Sequence, residues 1–154
     1  MNTIGLDQEK SKVLAEHLND LLANYMVFYQ NVRGFHWNIK GEKFFELHLK
    51  FEELYNNLLL KVDELAERIL TLEATPLHSF EDYLQISSIK STKDLSEGKA
   101  ALRNIVGAFQ TIIVKQRNIL SIAGEAGDEG TNALMSDYIR EQEKQVWMYR
   151  AYLG

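Results

Sequence analysis

The chain has 154 residues, 45% hydrophobic and 25% charged, with a formal net charge of −5 and no cysteine. That length suits one domain with a core of its own, and the acidic balance excludes a uniformly basic nucleic-acid-binding surface. Disulfides and thiolate metal sites are excluded and a reducing cytoplasm fits, no run approaches the roughly 20 apolar residues of a membrane span, and Met1 to Asp7 lacks the basic and apolar segments of a secretory signal.

One proline, Pro76, and nine glycines leave room for long helices. The first is predicted from about Asp7 to Asn31 or a little beyond. Leu14, Leu18, Leu21, Leu22, Tyr25, Phe28 and Val32 recur there at helical spacing, and Gly34 and Gly41 bracket its end and the following turn. The second runs from about Lys43 to Leu72, on the stripe Phe44, Leu47, Phe51, Leu54, Tyr55, Leu58, Val62, Leu65 and Ile69. Thr75-Pro76 interrupts the pattern, because the residue before a proline is held out of helical backbone.

A long connection covers about residues 73–93, with a short helix expected from Phe80 to Ile86. A third long helix follows from about Asp94 to Ala123, carrying Leu102, Ile105, Val106, Phe109, Ile112, Ile113 and Leu120. The run from Gly124 to Gly130 breaks it, and a fourth helix spans about Thr131 to Tyr152. Two helical hairpins joined by a long crossover describe a single all-α domain over 1–154, a ferritin-like four-helix bundle with a short helix in the crossover. A simple up-down bundle uses short loops instead.

Five residues form a pattern with chemistry in it: His36, His48, Glu52, Asp63 and Glu67. His48 and Glu52 are four apart on the second helix and share a face, as do Asp63 and Glu67. Glu52 and Asp63 are eleven apart, close to three turns, so the two pairs lie on one stripe. Imidazole and carboxylate together suit Fe, Zn or Mn. Eleven helical residues rise roughly 16 Å, whereas metal–ligand bonds are near 2 Å, so one chain cannot close both pairs on one metal. A second copy, antiparallel about a two-fold axis near Asn57 and Leu58, sets His48 and Glu52 of one chain opposite Asp63 and Glu67 of the other and creates two equivalent sites. An intrachain diiron site needs inward carboxylates on several helices and Glu-x-x-His motifs. The chain has no Glu-x-x-His, and its third long helix has no acid between Glu97 and Glu125. An isolated pair of this kind is usually a solvated face; two in phase, with His36, point to a metal.

The segment from Asn31 through Arg33-Gly34-Phe35-His36-Trp37-Asn38 and Phe44-Phe45-Glu46-Leu47 to His48 closely resembles the signature of the Dps family, the miniferritins. Asp63-Glu64-Leu65-Ala66-Glu67-Arg68-Ile69 resembles it too, as do Thr75-Pro76 and the C-terminal Trp147-Met148-Tyr149-Arg150-Ala151-Tyr152-Leu153-Gly154. The resemblance implies a homododecameric shell built from two-fold dimers. It also implies a ferroxidase centre in which Asp63 and Glu67 of one subunit join His36, His48 and Glu52 of its mate, Glu67 bridging two iron positions. Fe(II) and hydrogen peroxide are the implied substrates, peroxide being preferred to dioxygen, with Fe(III) stored as mineral. Zinc favours the same donors and is the expected competitor.

Position 52 is Glu where many members carry Asp, and its extra methylene still permits coordination. Trp37 matches the family's nearby tryptophan, as a radical quencher or as interface packing. Asp128 and Glu129 fall where members line acidic three-fold pores, Glu129 being the better candidate, and Ala133 replaces a further acid found in some; the alternative for both is a solvated loop and helix N-terminus, where acids are favoured. His17 and His78 are read as surface residues, Trp147 and Tyr149 as packing. Relatives that condense DNA carry a lysine-rich tail. Residues 1–12 hold Lys10 and Lys12 against Asp7 and Glu9, and Gly154 follows directly on the fourth helix, so DNA binding is expected to be weak or absent. The alternatives are a structural DNA-condensing protein with little ferroxidase activity, and a helical scaffold whose His and acids are surface decoration.

Overall fold

The computed structural model describes all residues 1–154 as five helices without a strand: α1 Gln8–Asn38, α2 Phe44–Thr71, α3 Phe80–Ile86, α4 Gly98–Glu125 and α5 Glu129–Leu153. This is the four-helix bundle with a short crossover helix that the apolar periodicity predicts. Two boundaries differ. The first long helix continues through Gly34 to Asn38, where Ile39 caps it with its N–H on the Phe35 carbonyl. Phe35 and Ile39 are buried, and that apolar demand outweighs the modest helix-breaking tendency of one glycine. The fourth element starts later than the expected Asp94, because Asp94 has a left-handed φ of 60° and cannot be helical. Glu97 caps α4 instead, accepting from the N–H groups of Lys99 and Ala100; the Ala100 bond and then the Lys99 bond hold its carboxyl below the ordinary range.

Helices α1 and α2 form one hairpin and α4 and α5 the other. Phe28 meets Phe109 edge-on at 5.1 Å, and Asp20 pairs with Lys115 at 2.8 Å, so α1 and α4 run antiparallel. Arg68 reaches Thr131 and Asn57 reaches Glu141, so α2 and α5 run antiparallel as well. Leu14, Leu18, Tyr25, Phe28, Phe51, Leu58, Leu65, Ile69, Leu102 and Phe109 fill the middle with almost no exposure. Each such large side chain contributes roughly 1.5–3 kcal/mol by leaving water.

Three asparagines on α1 fasten the crossover along the bundle. Asn19 donates to the Thr75 carbonyl and accepts from Leu77 N–H. Asn24, fully buried, accepts from Ser87 Oγ and from the N–H groups of Ser88 and Ile89. Asn31 donates to the Lys90 carbonyl and accepts from Thr92 N–H. The irregular stretches on either side of α3 have backbone groups to satisfy, and these amides satisfy several of them. The N-terminal turn is also tied down. The Asn2 side chain accepts from Ile4 and Leu6 N–H and donates to Ser11, and Thr3 N–H donates to Glu73.

At mid-bundle the core holds a closed ring of hydrogen bonds. Tyr25 OH donates to Gln116 Oε1 at 2.5 Å, Gln116 Nε2 to Gln142 Oε1 at 2.7 Å, and Gln142 Nε2 to Tyr25 OH at 2.7 Å. All three residues are fully buried, and burial pushes the Tyr25 phenol well above its ordinary pKa. The ring ties α1, α4 and α5 together with neutral groups. Tyr25→Phe removes one member and strands the other two, so a destabilisation of about 1–3 kcal/mol is expected. In calorimetry of the assembled protein this reads as a melting temperature lower by several degrees, about 2–4 °C per kcal/mol for a chain of this size. An unchanged melting temperature refutes the ring's structural role.

Candidate metal centre

The longer α1 decides the position of His36. Instead of lying in a turn, it sits in the helix's last turn, buried at 6% exposure, against the first turns of α2. Its ring stacks on that of His48 at 3.8 Å between centroids and 13° between planes. Two reciprocal hydrogen bonds fix the stack. His36 Nδ1 donates to the His48 carbonyl at 2.6 Å, and His48 Nδ1 donates to the His36 carbonyl at 2.7 Å. The N–H that would ordinarily cap the His36 carbonyl belongs to Lys40 and is bonded to Ser96 instead, so the imidazole fills a vacancy left at the helix end.

The electronic consequence follows directly. A carbonyl oxygen only accepts, so each Nδ1 carries a proton, and the tautomer that can bind a metal has its lone pair on Nε2. This is the arrangement in which a metal-binding histidine is held by an outer hydrogen bond. Phe44 stacks on His48 at 4.9 Å and Tyr55 packs edge-on against His36 at 5.3 Å, which restricts both rings further. Glu52 Oε1 lies 3.6 Å from His36 Nε2, with the carboxylate about half exposed. A metal bonded to both atoms at 2.0–2.2 Å sets them about 3.0–3.5 Å apart, so at most a small movement of Glu52 is needed.

Within one chain the donor set stops there. Asp63 and Glu67 are exposed further along α2, and no three His, Asp or Glu side chains of the chain converge to hold a metal ion. The structure therefore stacks His36 on His48 and brings Glu52 to 3.6 Å from His36 without closing a three-ligand set, and leaves Asp63 and Glu67 further along α2.

Residues 15–154 match the ferritin-like domain family. A Dps protein from Vibrio cholerae O1, described as a member of a broad superfamily of ferritin-like diiron-carboxylate proteins, superposes with a TM-score of 0.99 at 59% identity, over 100% of this chain and 97% of that one. The chain belongs to the Dps family. A DNA protection during starvation protein from Porphyromonas gingivalis is 42% identical over 99% of this chain and 96% of its own length. A Bacillus brevis Dps protein superposes with a TM-score of 0.92 at 32% identity, covering both chains entirely.

One expected pore residue is corrected within this Dps fold. Asp128 is buried at 1% exposure. Its carboxylate accepts from Thr131 N–H and Oγ1 as the N-cap of α5, and from Arg68 Nη2 at 2.7 Å. Capping and the guanidinium use its oxygens, so Asp128 is a structural clamp between α2 and α5 rather than a pore lining. Glu129 next to it stays exposed. His78 is exposed and His17 half-buried, neither near the histidine pair; Tyr149 is buried and Trp147 exposed. No helix is long and apolar enough to cross a membrane.

His48→Phe keeps an aromatic ring against His36 but removes the bond to the His36 carbonyl and one Nε2 donor. Co(II) affinity in titrations is expected to fall by more than the roughly 10–100-fold typical of losing an outer-shell partner, with helix content unchanged by circular dichroism. Retained affinity rules out His48 as a ligand.

Proposed function

We propose that this chain is the subunit of an iron-storing shell whose ferroxidase centres form between two copies. His36, His48 and Glu52 of one subunit bind Fe(II) together with Asp63 and Glu67 of the partner subunit. The observation that carries this reading is the half-built site: two imidazoles locked through Nδ1, leaving their Nε2 atoms for a metal, with Glu52 beside His36, and no group of three or more ligating side chains within the chain. The two acids stand in phase on the same helix, which an antiparallel mate brings opposite.

The residues divide the work. The histidines supply neutral donors and keep the site from being overloaded with negative charge. The carboxylates are hard donors and favour Fe(III) over Fe(II), which lowers the barrier to losing an electron. Two Fe(II) each give one electron to hydrogen peroxide; the O–O bond breaks, and with two water molecules the products are two ferric oxyhydroxide units and four protons. Using both electrons of peroxide at one site avoids releasing hydroxyl radical. Glu129, exposed at the start of α5, helps to draw Fe(II) to the shell electrostatically. Zn(II) is the competitor that suits the same donors.

Anaerobic loading with Fe(II) followed by hydrogen peroxide tests the reading. Wild type is expected to develop ferric absorbance rapidly at two Fe(II) per peroxide. The His36→Ala, His48→Ala, Asp63→Ala triple variant is expected to assemble and to oxidise only at the slow rate of free Fe(II). Equal slow rates in both would mean that these residues are not the catalytic centre.

DNA condensation is not favoured by the same structure. Residues 2–6 are held by the Asn2 and Glu73 hydrogen bonds rather than free as a basic arm, and the net charge is −5. Gel-shift titrations at neutral pH and physiological salt are expected to show no tight complex; a tight, salt-sensitive one would reinstate the DNA-protecting role that the Porphyromonas gingivalis relative's name carries.

A further inference from the structure

Arg33 is the one arginine with a shielded guanidinium nitrogen and no acceptor in the chain. Arg68, Arg117 and Arg140 each pair with a carboxylate of the same chain, and Arg103 and Arg150 are exposed to solvent. Arg33 is half-buried, and its Nε is shielded from water with no acceptor in the chain. Its guanidinium lies over three aromatic rings, 4.8 Å from Trp37, 5.4 Å from Tyr29 and 5.7 Å from Tyr55. The ring faces attract the cation but accept none of its N–H groups conventionally. A guanidinium keeps its charge and holds five donors in a rigid fork. A guanidinium held on aromatic faces, with its Nε shielded and without an acceptor in the chain, points to an anion from outside the chain.

Position identifies which one. Arg33 is one turn before His36 on α1, and Tyr55, which it touches, packs on His36. Arg33 therefore sits beside the half-site. The register that sets Glu52 opposite Asp63 of the partner subunit also sets Tyr55 opposite the partner's Leu60. On the facing helix, the partner's Asp63 is about one turn from that level and projects along the stripe that carries the centre.

We propose that Arg33 is a positioning residue of the shared centre, its guanidinium holding one carboxylate oxygen of Asp63 of the partner subunit while the other is aimed at the metal. The proposal rests on the interfacial reading above. It gives the aromatic cage of Tyr29, Trp37 and Tyr55 a purpose: to hold the fork flat at the interface before the mate arrives. It also gives the partner's Asp63 the outer hydrogen bond that metal-ligating carboxylates ordinarily have.

The test is a double-mutant cycle on the assembled protein with Arg33→Met, Asp63→Asn and both, read by Co(II) titration and by the guanidinium midpoint of subunit dissociation without metal. Arg33→Met is expected to weaken Co(II) binding about 10–100-fold when Asp63 is present, and by less than about twofold when Asp63 is already Asn. The metal-free dissociation midpoints are expected to show the same non-additivity. Arg33→Lys keeps the charge without the fork and is expected to recover part of both losses; it also serves if Arg33→Met does not assemble. Arg33→Met binding Co(II) as wild type does, while Asp63→Asn does not, overturns the role of Arg33 and leaves the shared centre standing. If wild type binds no Co(II), the shared centre fails, and the metal-free cycle decides alone: coupled losses support the pair and additive losses overturn it.

Discussion

Eleven residues of unbroken helix separate Glu52 from Asp63, and a helix rising about 1.5 Å per residue holds them roughly 16 Å apart. No side-chain rotation closes that distance. Once both pairs are on α2, a centre that uses all of them has to be completed by a second copy, and everything else in the subunit is free of the metal. The middle of the bundle shows the result. Where an intrachain site needs inward carboxylates, Tyr25, Gln116 and Gln142 satisfy one another in a neutral ring. A buried carboxylate there would need a partner cation or a proton, and a ring of amides and a phenol needs neither.

The half-site depends on two helix ends meeting at the right level. Helix α1 must run far enough to put His36 beside His48, and α2 must start early enough to put His48 in its first turns. Extending α1 through Gly34 does the first, and the short turn at residues 39–43 does the second. The reciprocal imidazole-to-carbonyl bonds then make each histidine the support of the other. One consequence is a shared vulnerability: a change at either ring disturbs the orientation of both. At the opposite end of the bundle the same helix α2 is locked by the Arg68 grip on Asp128 and Thr131. Gly130 is part of that grip, since a Cβ there would lie 2.7 Å from the Arg68 guanidinium. The helix that presents both ligand pairs is thus anchored near each pair.

The helices were legible because burial on one side imposes a period of 3.6 that a sequence displays directly. Leu14 to Val32 on α1 and Leu47 to Ile69 on α2 read correctly for that reason. The ends read less well, since Gly34 and Asp94 are decided by tertiary demands: the burial of Phe35 and Ile39 in one case, a left-handed turn before Glu97 in the other. The five candidate ligands were visible in their spacing, but not the bonds that orient His36 and His48, which join residues twelve apart through a turn. Asn19, Asn24 and Asn31 were overlooked although a signal existed. Asparagine is a weak helix former, and three of them inside a long apolar helix ask what they bond. Asp128 is open to both a pore and a helix-start reading in the sequence, because an acid at the start of a helix serves equally as a cap, and only the position of Arg68 tells the two apart.

A centre completed between subunits links iron chemistry to assembly. Any ligand that binds only the paired state stabilises that state by mass action, and the coupling is reciprocal: what strengthens subunit pairing also strengthens metal binding. Under this reading an isolated subunit holds two neutral imidazoles and one carboxylate, a donor set lacking its hard bridging acid, and is a poor oxidant site for Fe(II). Oxidation under this reading is thereby confined to paired subunits, the unit from which a shell is built. A site inside one bundle imposes no such condition, because it is complete before any partner arrives. The separation of the two ligand pairs along α2, which keeps one chain from closing both on one metal, therefore under the same reading ties Fe(III) production to subunit pairing.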